Sequence, residues 1–294
     1  RQRAMRTRDE DSVQDIFLAN THNVLLIFTN HGWVFKVPVY QLPEGGRDAR
    51  GTPIVNLVDL EPDDDVVSVL SIKDFDEDID LLFCSKGGLV KRTRLSDYRN
   101  IRSSGIRAYD CADGDALLTV RRARSDQHVL MATRDGMAIR FEGSDVRHMG
   151  RVARGVRGIR LSGDDQVASL SVVDADAPWQ LLTITVNGYG KRTELDQYRS
   201  QKRAGQGLID IVTDDRNGRV AGAVIVDETD MVMLITDTGR VIKIRVADIR
   251  QTNRNTKGVT VMRIDDDEHI VSIARVVEQD EDDDIAEVAD GGEE

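Results

Sequence analysis

A hairpin signature repeated five times sets the tightest limit on what this chain can fold into. The contexts TNHGWVFKV, SKGGLVKRT, TRDGMAIRF, TVNGYGKRT and TDTGRVIKI place glycines at Gly32, Gly88, Gly136, Gly188 and Gly239, separated by 56, 48, 52 and 51 residues. About nineteen residues after each comes a second glycine with Arg or Lys within a few residues of it: Gly51, Gly105, Gly155, Gly207 and Gly258. A period near fifty that carries strands rather than helices predicts a closed radial array of β-blades. The period continues without a linker from about residue 13 to residue 277, so one repeat domain over residues 1–277 is expected.

The third copy shows the unit. Gly114 to Val120 and His128 to Arg134 are apolar runs of strand length, and Met137 to Phe141 follows Asp135-Gly136. Asp-Gly here, and Asn187-Gly188 in the next copy, read as type I′ turns with positive φ at both central residues. A polar return, Ser144 to Gly155, precedes the short strand Val156 to Leu161. An up-and-down blade needs only a tight turn there. The long return predicts Greek-key blades in which one strand reaches toward a neighbouring blade. Val24 to Phe28, Val66 to Leu70, Leu181 to Val186 and Met231 to Thr236 are core strands, and Trp33 and Trp179 are packing residues.

Charge repeats in phase with the hairpins. Lys91, Arg92, Arg94, Arg99, Arg102 and Arg107 face Asp97 alone, and Arg147, Arg151, Arg154, Arg157 and Arg160 occupy a stretch with no acid. Lys191, Arg192, Arg199, Lys202 and Arg203 stand against two acids. Arg240 to Arg263, which includes Arg250, Arg254 and Lys257, holds seven bases against Asp248. The first copy is weaker, with Lys36, Arg47 and Arg50 against Glu44 and Asp48. Acids collect in the opposite phase. Equivalent positions in a radial array lie at equivalent places on the disc, so a circumferential positive band is predicted, with negative surface elsewhere.

Such a band fits a polyanion. With no recognition helix, it would read phosphates rather than bases and bend duplex DNA around itself. The second glycines admit two readings: close approach of phosphate to backbone N–H groups, or tight entry into a strand. The net charge of −12 does not argue against this. Ten acids and no base fall within residues 278–294, an acidic tail expected to be solvated, and the remaining 40 basic and 42 acidic residues nearly cancel. Tethered close to the band, that tail is expected to compete with DNA.

Other chemistries find little support. His22, His31, His128, His148 and His269 are scattered without metal-ligand spacing or a nucleophile partner, and Cys84 and Cys111 read as reduced thiols. No apolar stretch approaches the roughly 18 residues of a membrane span, and no signal-peptide pattern opens the chain, so an intracellular location is expected.

The chain resembles the C-terminal domain of the DNA gyrase A subunit. The matching strings are Leu18 to His22 (LANTH), Val39 to Glu44 (VYQLPE), Ala49 to Leu57 (ARGTPIVNL), Gly155 to Leu161 (GVRGIRL), Asn187 to Thr193 (NGYGKRT) and Arg254 to Val259 (RNTKGV), with an acidic terminus after them. The resemblance implies an all-β, propeller-like β-pinwheel of about six four-stranded Greek-key blades. It also implies a DNA-wrapping role in ATP-dependent negative supercoiling by a bacterial, cytoplasmic, nucleoid-associated A2B2 heterotetramer. The catalytic tyrosine, ATP and Mg2+ would belong to other parts of that assembly, leaving this chain non-catalytic, without cofactor or metal, and monomeric when isolated.

The gyrase-specific motif Gln-Arg-Arg-Gly-Gly-Lys-Gly is absent as an intact copy. Its nearest echo is Gln201 to Gly207 (QKRAGQG), while Arg1, Arg3, Arg6 and Arg8 read as its downstream flank in an incomplete first blade. The DNA-binding set implied for the rim is those four arginines with Arg47, Arg50, Lys91, Arg92, Arg99, Arg102, Arg107, Arg147, Arg151, Arg154, Arg157, Lys191, Arg192, Arg199, Lys202, Arg203, Arg250, Arg254 and Lys257. Two alternatives stay open: the topoisomerase IV counterpart, and a protein-interaction propeller with no DNA role.

Overall fold

The computed structural model describes residues 19–43 and 53–276, and within them every regular element is a strand or a single 3-10 turn. Each repeat supplies a hairpin and an inner strand. In chain order the three are β1 (Val24–Thr29), β2 (Trp33–Pro38) and β3 (Val66–Ile72) in blade 1, then β4 (Asp80–Ser85), β5 (Leu89–Arg94) and β7 (Leu117–Ala123) in blade 2. Blade 3 has β8 (His128–Thr133), β9 (Met137–Glu142) and β11 (Val167–Val173), and blade 4 has β12 (Gln180–Thr185), β13 (Tyr189–Glu194) and β15 (Val220–Val226). Blade 5 has β16 (Met231–Thr236), β17 (Val241–Arg245) and β19 (Ile270–Val276).

The outermost strand of each of the first four blades comes from the following repeat. These are β6 (Ile106–Arg107), β10 (Val156–Arg157), β14 (Leu208–Ile209) and β18 (Val259–Thr260), giving the sheet orders β3-β1-β2-β6, β10-β5-β4-β7, β11-β8-β9-β14 and β15-β12-β13-β18. The register is set by pairs such as Trp33 with Arg107 and Leu89 with Arg157. Thus the long return does carry a strand to a neighbour, as its length suggests.

The described residues form five blades rather than about six, because blade 5 ends as the three-stranded sheet β17-β16-β19 and no sixth hairpin lies among them. The incomplete blade assigned to Arg1, Arg3, Arg6 and Arg8, and the tail at 278–294, lie outside the described residues. Inner strands pack in the order β3, β7, β11, β15, β19, whereas β19 and β3 share no comparable interface among the described residues. Apolar clusters fill the spaces between blades; Phe28 and Phe83, for example, meet edge to face at 5.6 Å between blades 1 and 2.

The turn chemistry differs from the type I′ reading. Among the described residues only Ala204 and Asn255 are non-glycine residues with positive φ, so Asp135 and Asn187 are not left-handed. Each hairpin turn instead holds a glycine at φ near +80°, which closes a three-residue loop in the first four blades, with Gly136 N–H donating to Thr133 O at 3.1 Å. This is a type I turn followed by a left-handed glycine. A hydroxyl three residues before the glycine secures the turn: Thr29, Ser85, Thr133 and Thr236 accept the N–H of the residue after it.

The hairpin glycine has a second duty, because the next repeat passes directly over it. Gly136 O accepts the N–H groups of Asp210 and Ile211, and a Cβ at Gly136 would lie 2.1 Å from Ile211 O. Gly32 and Gly188 stand in the same relation to Tyr109 O and Met262 O, each at 2.2 Å. Gly136→Ala is therefore expected to cost about 2 kcal/mol or more, combining left-handed strain with a backbone collision, read as a lowered urea midpoint.

Candidate nucleic-acid interface

Each return loop leaves the end of its own hairpin and crosses to the outer edge of the preceding blade, so four of them run along the perimeter. A 3-10 turn starts each one: Leu95–Tyr98, Gly143–Asp145, Leu195–Gln197 and Val246–Asp248. Just beyond it, eleven residues after the hairpin glycine, stands an arginine in every case: Arg99, Arg147, Arg199 and Arg250. All four are exposed. Arg99 pairs with Asp76, whereas among the described residues the side chains of Arg102, Arg147, Arg157, Arg199 and Arg250 have no ion-pair or hydrogen-bond partner.

Beneath the loops lies a second, buried layer of cations that sequence reasoning assigns to the surface. Lys91, Arg92, Lys191 and Arg192 are corrections to the rim set, since each is buried on its strand under the loop of the next repeat. Arg192 donates to Ile249 O at 2.7 Å and to Gln180 Oε1 at 3.1 Å, and pairs with Glu228 at 3.0 Å. Arg92 lies 3.3 Å from Asp80, which also holds His148 Nε2 at 2.8 Å, and Arg92 O accepts the Met149 N–H. Arg140 and Lys36 stand at the same repeat position and donate to Leu195 O and Arg99 O. Arg192, Arg140 and Lys36 thus hold loop carbonyls, and the buried Arg92, Arg140 and Arg192 are unavailable to phosphate. A cation four residues after the hairpin glycine recurs in all five copies, buried in the middle three, half-buried as Lys36 and exposed as Lys243.

Lys191 sits deeper still. Its Nζ donates to Thr193 Oγ1 at 2.7 Å and pairs with Asp210 at 3.2 Å, while Asp210 also accepts Tyr198 Oη at 2.5 Å and Thr183 Oγ1 at 2.7 Å. Burial pushes the Lys191 amine down, with Asp210 opposing, and burial pushes the Tyr198 phenol up.

The remaining predicted residues divide between exposed ion pairs and loop stitching. Arg154 pairs with Asp110 at 2.7 Å, Lys202 with Asp145 at 3.0 Å and Lys257 with Asp214 at 2.5 Å. Those partners push Arg154 and Lys202 up and Asp214 down, each toward its charged form. Arg203 donates to Asp145 O and Arg157 O, and Arg254 to Ile209 O, each joining a loop to its neighbour. Arg107 donates to His31 O and lies over the Trp33 ring at 5.1 Å, and Arg151 is half-buried. Arg47 and Arg50 fall outside the described residues.

Tight strand entry accounts for the second glycines among the described residues. Gly155 and Gly207 have φ +96 and +80, and a Cβ on either would lie 2.4 Å from the carbonyl of Val90 or Ala138 in the neighbouring blade. Acids occupy the strand-end loops instead: Asp74 and Asp76 to Asp78 between β3 and β4, Asp174 and Asp176 between β11 and β12, and Asp227, Glu228 and Asp230 between β15 and β16. Others, such as Asp63 to Asp65 and Asp265 to Asp267, lead into inner strands at the opposite ends. The rim is thus basic and both flat faces are acidic. Among the described residues no group of His, Cys, Asp and Glu is arranged to hold a metal ion, and no helix is long and apolar enough to cross a membrane.

These features define a β-propeller whose blades exchange outer strands and whose perimeter carries repeating arginines. The family described as DNA gyrase C-terminal domain, beta-propeller, matches residues 23–73, 80–124, 127–174, 180–227 and 230–276, one segment per blade. The chain belongs to that family. The DNA gyrase A subunit of Salmonella typhimurium is 41% identical over 294 residues, covering 99% of this chain and 33% of that protein. Its counterpart in Escherichia coli is 41% identical over 282 residues, with 96% and 32% covered. The chain therefore spans about a third of the length of these relatives. Among solved structures, the C-terminal domain of DNA topoisomerase IV superposes with a TM-score of 0.84 at 26% identity, covering 93% of this chain and 85% of that one. The DNA gyrase A C-terminal domain superposes with 0.76 at 22% identity, covering 90% of each.

Proposed function

We propose that this domain binds duplex DNA without sequence preference and bends it around the basic rim, as the wrapping element of a gyrase-type topoisomerase. The observation that carries this reading is the ring of equivalent exposed arginines, Arg99, Arg147, Arg199 and Arg250, on loops that run along the perimeter between two acidic faces. Acidic faces repel phosphate, so a polyanion is confined to the edge, and an edge of this kind imposes curvature. Bending 20–30 base pairs costs about 1–6 kcal/mol, which only a continuous series of contacts offsets. The rest of gyrase A and gyrase B, in an A2B2 assembly where ATP and Mg2+ act elsewhere, are the partners this role requires. Cytoplasmic, nucleoid-associated placement is the location it implies. Among the described residues the outer edge of β17 carries no fourth strand and β3 and β19 share no interface comparable to those between neighbouring inner strands, which supports the reading of about six blades.

Salt titration of binding to an arbitrary duplex tests the reading. About ten phosphate contacts give a slope of log K against log salt near −9, and a shallow slope or no binding at low salt would favour a protein-interaction propeller. The topoisomerase IV reading draws on the superposition at 0.84, whereas the relatives at 41% identity favour gyrase. Religation of nicked circles on the bound domain separates them, a strong positive-writhe shift marking the gyrase mode.

A further inference from the structure

Two of the five hairpins carry a lysine three residues after the glycine, and the two are neutralised differently. In blade 4, Lys191 faces Asp210, the residue that follows β14. In blade 2 the residue that follows β6 is Ala108, and Lys91 pairs with no carboxylate among the described residues. Its Nζ, fully buried, donates to Ala108 O at the edge of blade 1 and to Arg151 O in the return loop of the third repeat. The Phe83 ring lies 4.5 Å and the Tyr109 ring 5.4 Å from it, with Cys111 nearby. Two carbonyl acceptors match the two hydrogens of a neutral amine. Nζ makes two hydrogen bonds, so the third hydrogen of an ammonium has no hydrogen-bond acceptor among the described residues, and the attraction of the neighbouring ring faces for a cation does not replace lost hydration.

We propose that Lys91 is a proton-operated fastener for the return loop that carries Arg147, Arg151, Arg154 and Arg157, holding it while the amine is neutral and loosening it when the amine is charged. Burial pushes Lys91 down to about 7 from its ordinary 10.5. In a detached loop the amine regains water and its ordinary affinity for a proton, so the detached state binds more protons between those values. The closed loop therefore gains stability as pH rises from 7 toward 10 and gains nothing further below 7. Of the titratable groups facing the amine, burial pushes Cys111, Tyr98 and Tyr109 up, away from neutrality. The loop's other side-chain attachments include Asp145 with Lys202 and His148 with Asp80 at its start and Arg154 with Asp110 toward its end. The consequence for DNA rests on the wrapping role: an unfastened loop presents its arginines to phosphate without a fixed register.

Hydrogen exchange of the free protein tests the fastener without DNA, so its failure is distinguishable from failure of the wrapping reading. The reporting amides are Met149, bonded to Arg92 O, and Ala153, bonded to Gly150 O. Their protection factors should rise about tenfold per pH unit between 7 and 9 and be flat from 6 to 7. Lys91→Met should remove the slope. Ala108→Asp, which supplies the carboxylate that blade 4 already has, should remove it while keeping the lysine. His148→Gln should leave it in place. A flat profile in the unaltered protein, a slope that survives Lys91→Met, or a slope abolished by His148→Gln would each overturn the proposal.

Discussion

Replacing Lys191 with methionine should destabilise the domain by about 3–5 kcal/mol, because Asp210 would be left as a buried carboxylate without its cation. Asp210 is 1% exposed and also accepts hydrogen bonds from Tyr198 and Thr183, so neither water nor a rotamer change offers it a substitute charge. Urea unfolding with blade 4 amides followed by hydrogen exchange measures the loss. The informative comparison is Lys191→Met with Asp210→Val, where both charges are gone and much of the stability should return. A double variant no better than the single one would show that hydrogen bonding by Asp210, rather than charge pairing, holds this site together.

Removing the recurring arginines should have the largest effect on DNA. Arg147, Arg199 and Arg250 are equivalent by repeat, exposed, and without side-chain partners among the described residues, so changing all three to alanine disturbs no ion pair. If each neutralises one phosphate, the salt slope should fall by about 2.7, from near −9 to near −6, with an affinity loss of about 100-fold or more at low salt. The control is Arg140→Ala, a buried cation of the same repeat, which should lower stability and leave the salt slope in place. An unchanged slope in the triple variant would move the DNA path off these loops.

Why some of this is legible in the sequence and some is not follows from how local each cause is. The hairpins are visible because a three-residue turn imposes its own chemistry: a hydroxyl at Thr29, Ser85, Thr133, Thr185 or Thr236 and a glycine three residues on. The exchanged strands are visible as returns too long for one blade. The burial of Lys91 and Lys191 is not. Leu89 to Arg94, LVKRTR, is a strand in which two adjacent cations suggest solvent, yet the loop of the next repeat, arriving more than fifty residues later, covers both. Two layers of positive charge thus look like one in the sequence. Asp210 is hidden for a similar reason: in a run of scattered acids nothing local marks the one that turns inward.

The exchange of outer strands gives the perimeter a mechanical meaning. A return loop belongs by sequence to one blade and by hydrogen bonding to the one before it, as β10 belongs to the third repeat and pairs with β5. Whatever pulls on a loop therefore loads the seam between two blades rather than either blade alone. The angle between neighbouring blades and the path of a molecule laid along the rim become the same variable, so that tension along the rim and the pitch of the blade array must change together.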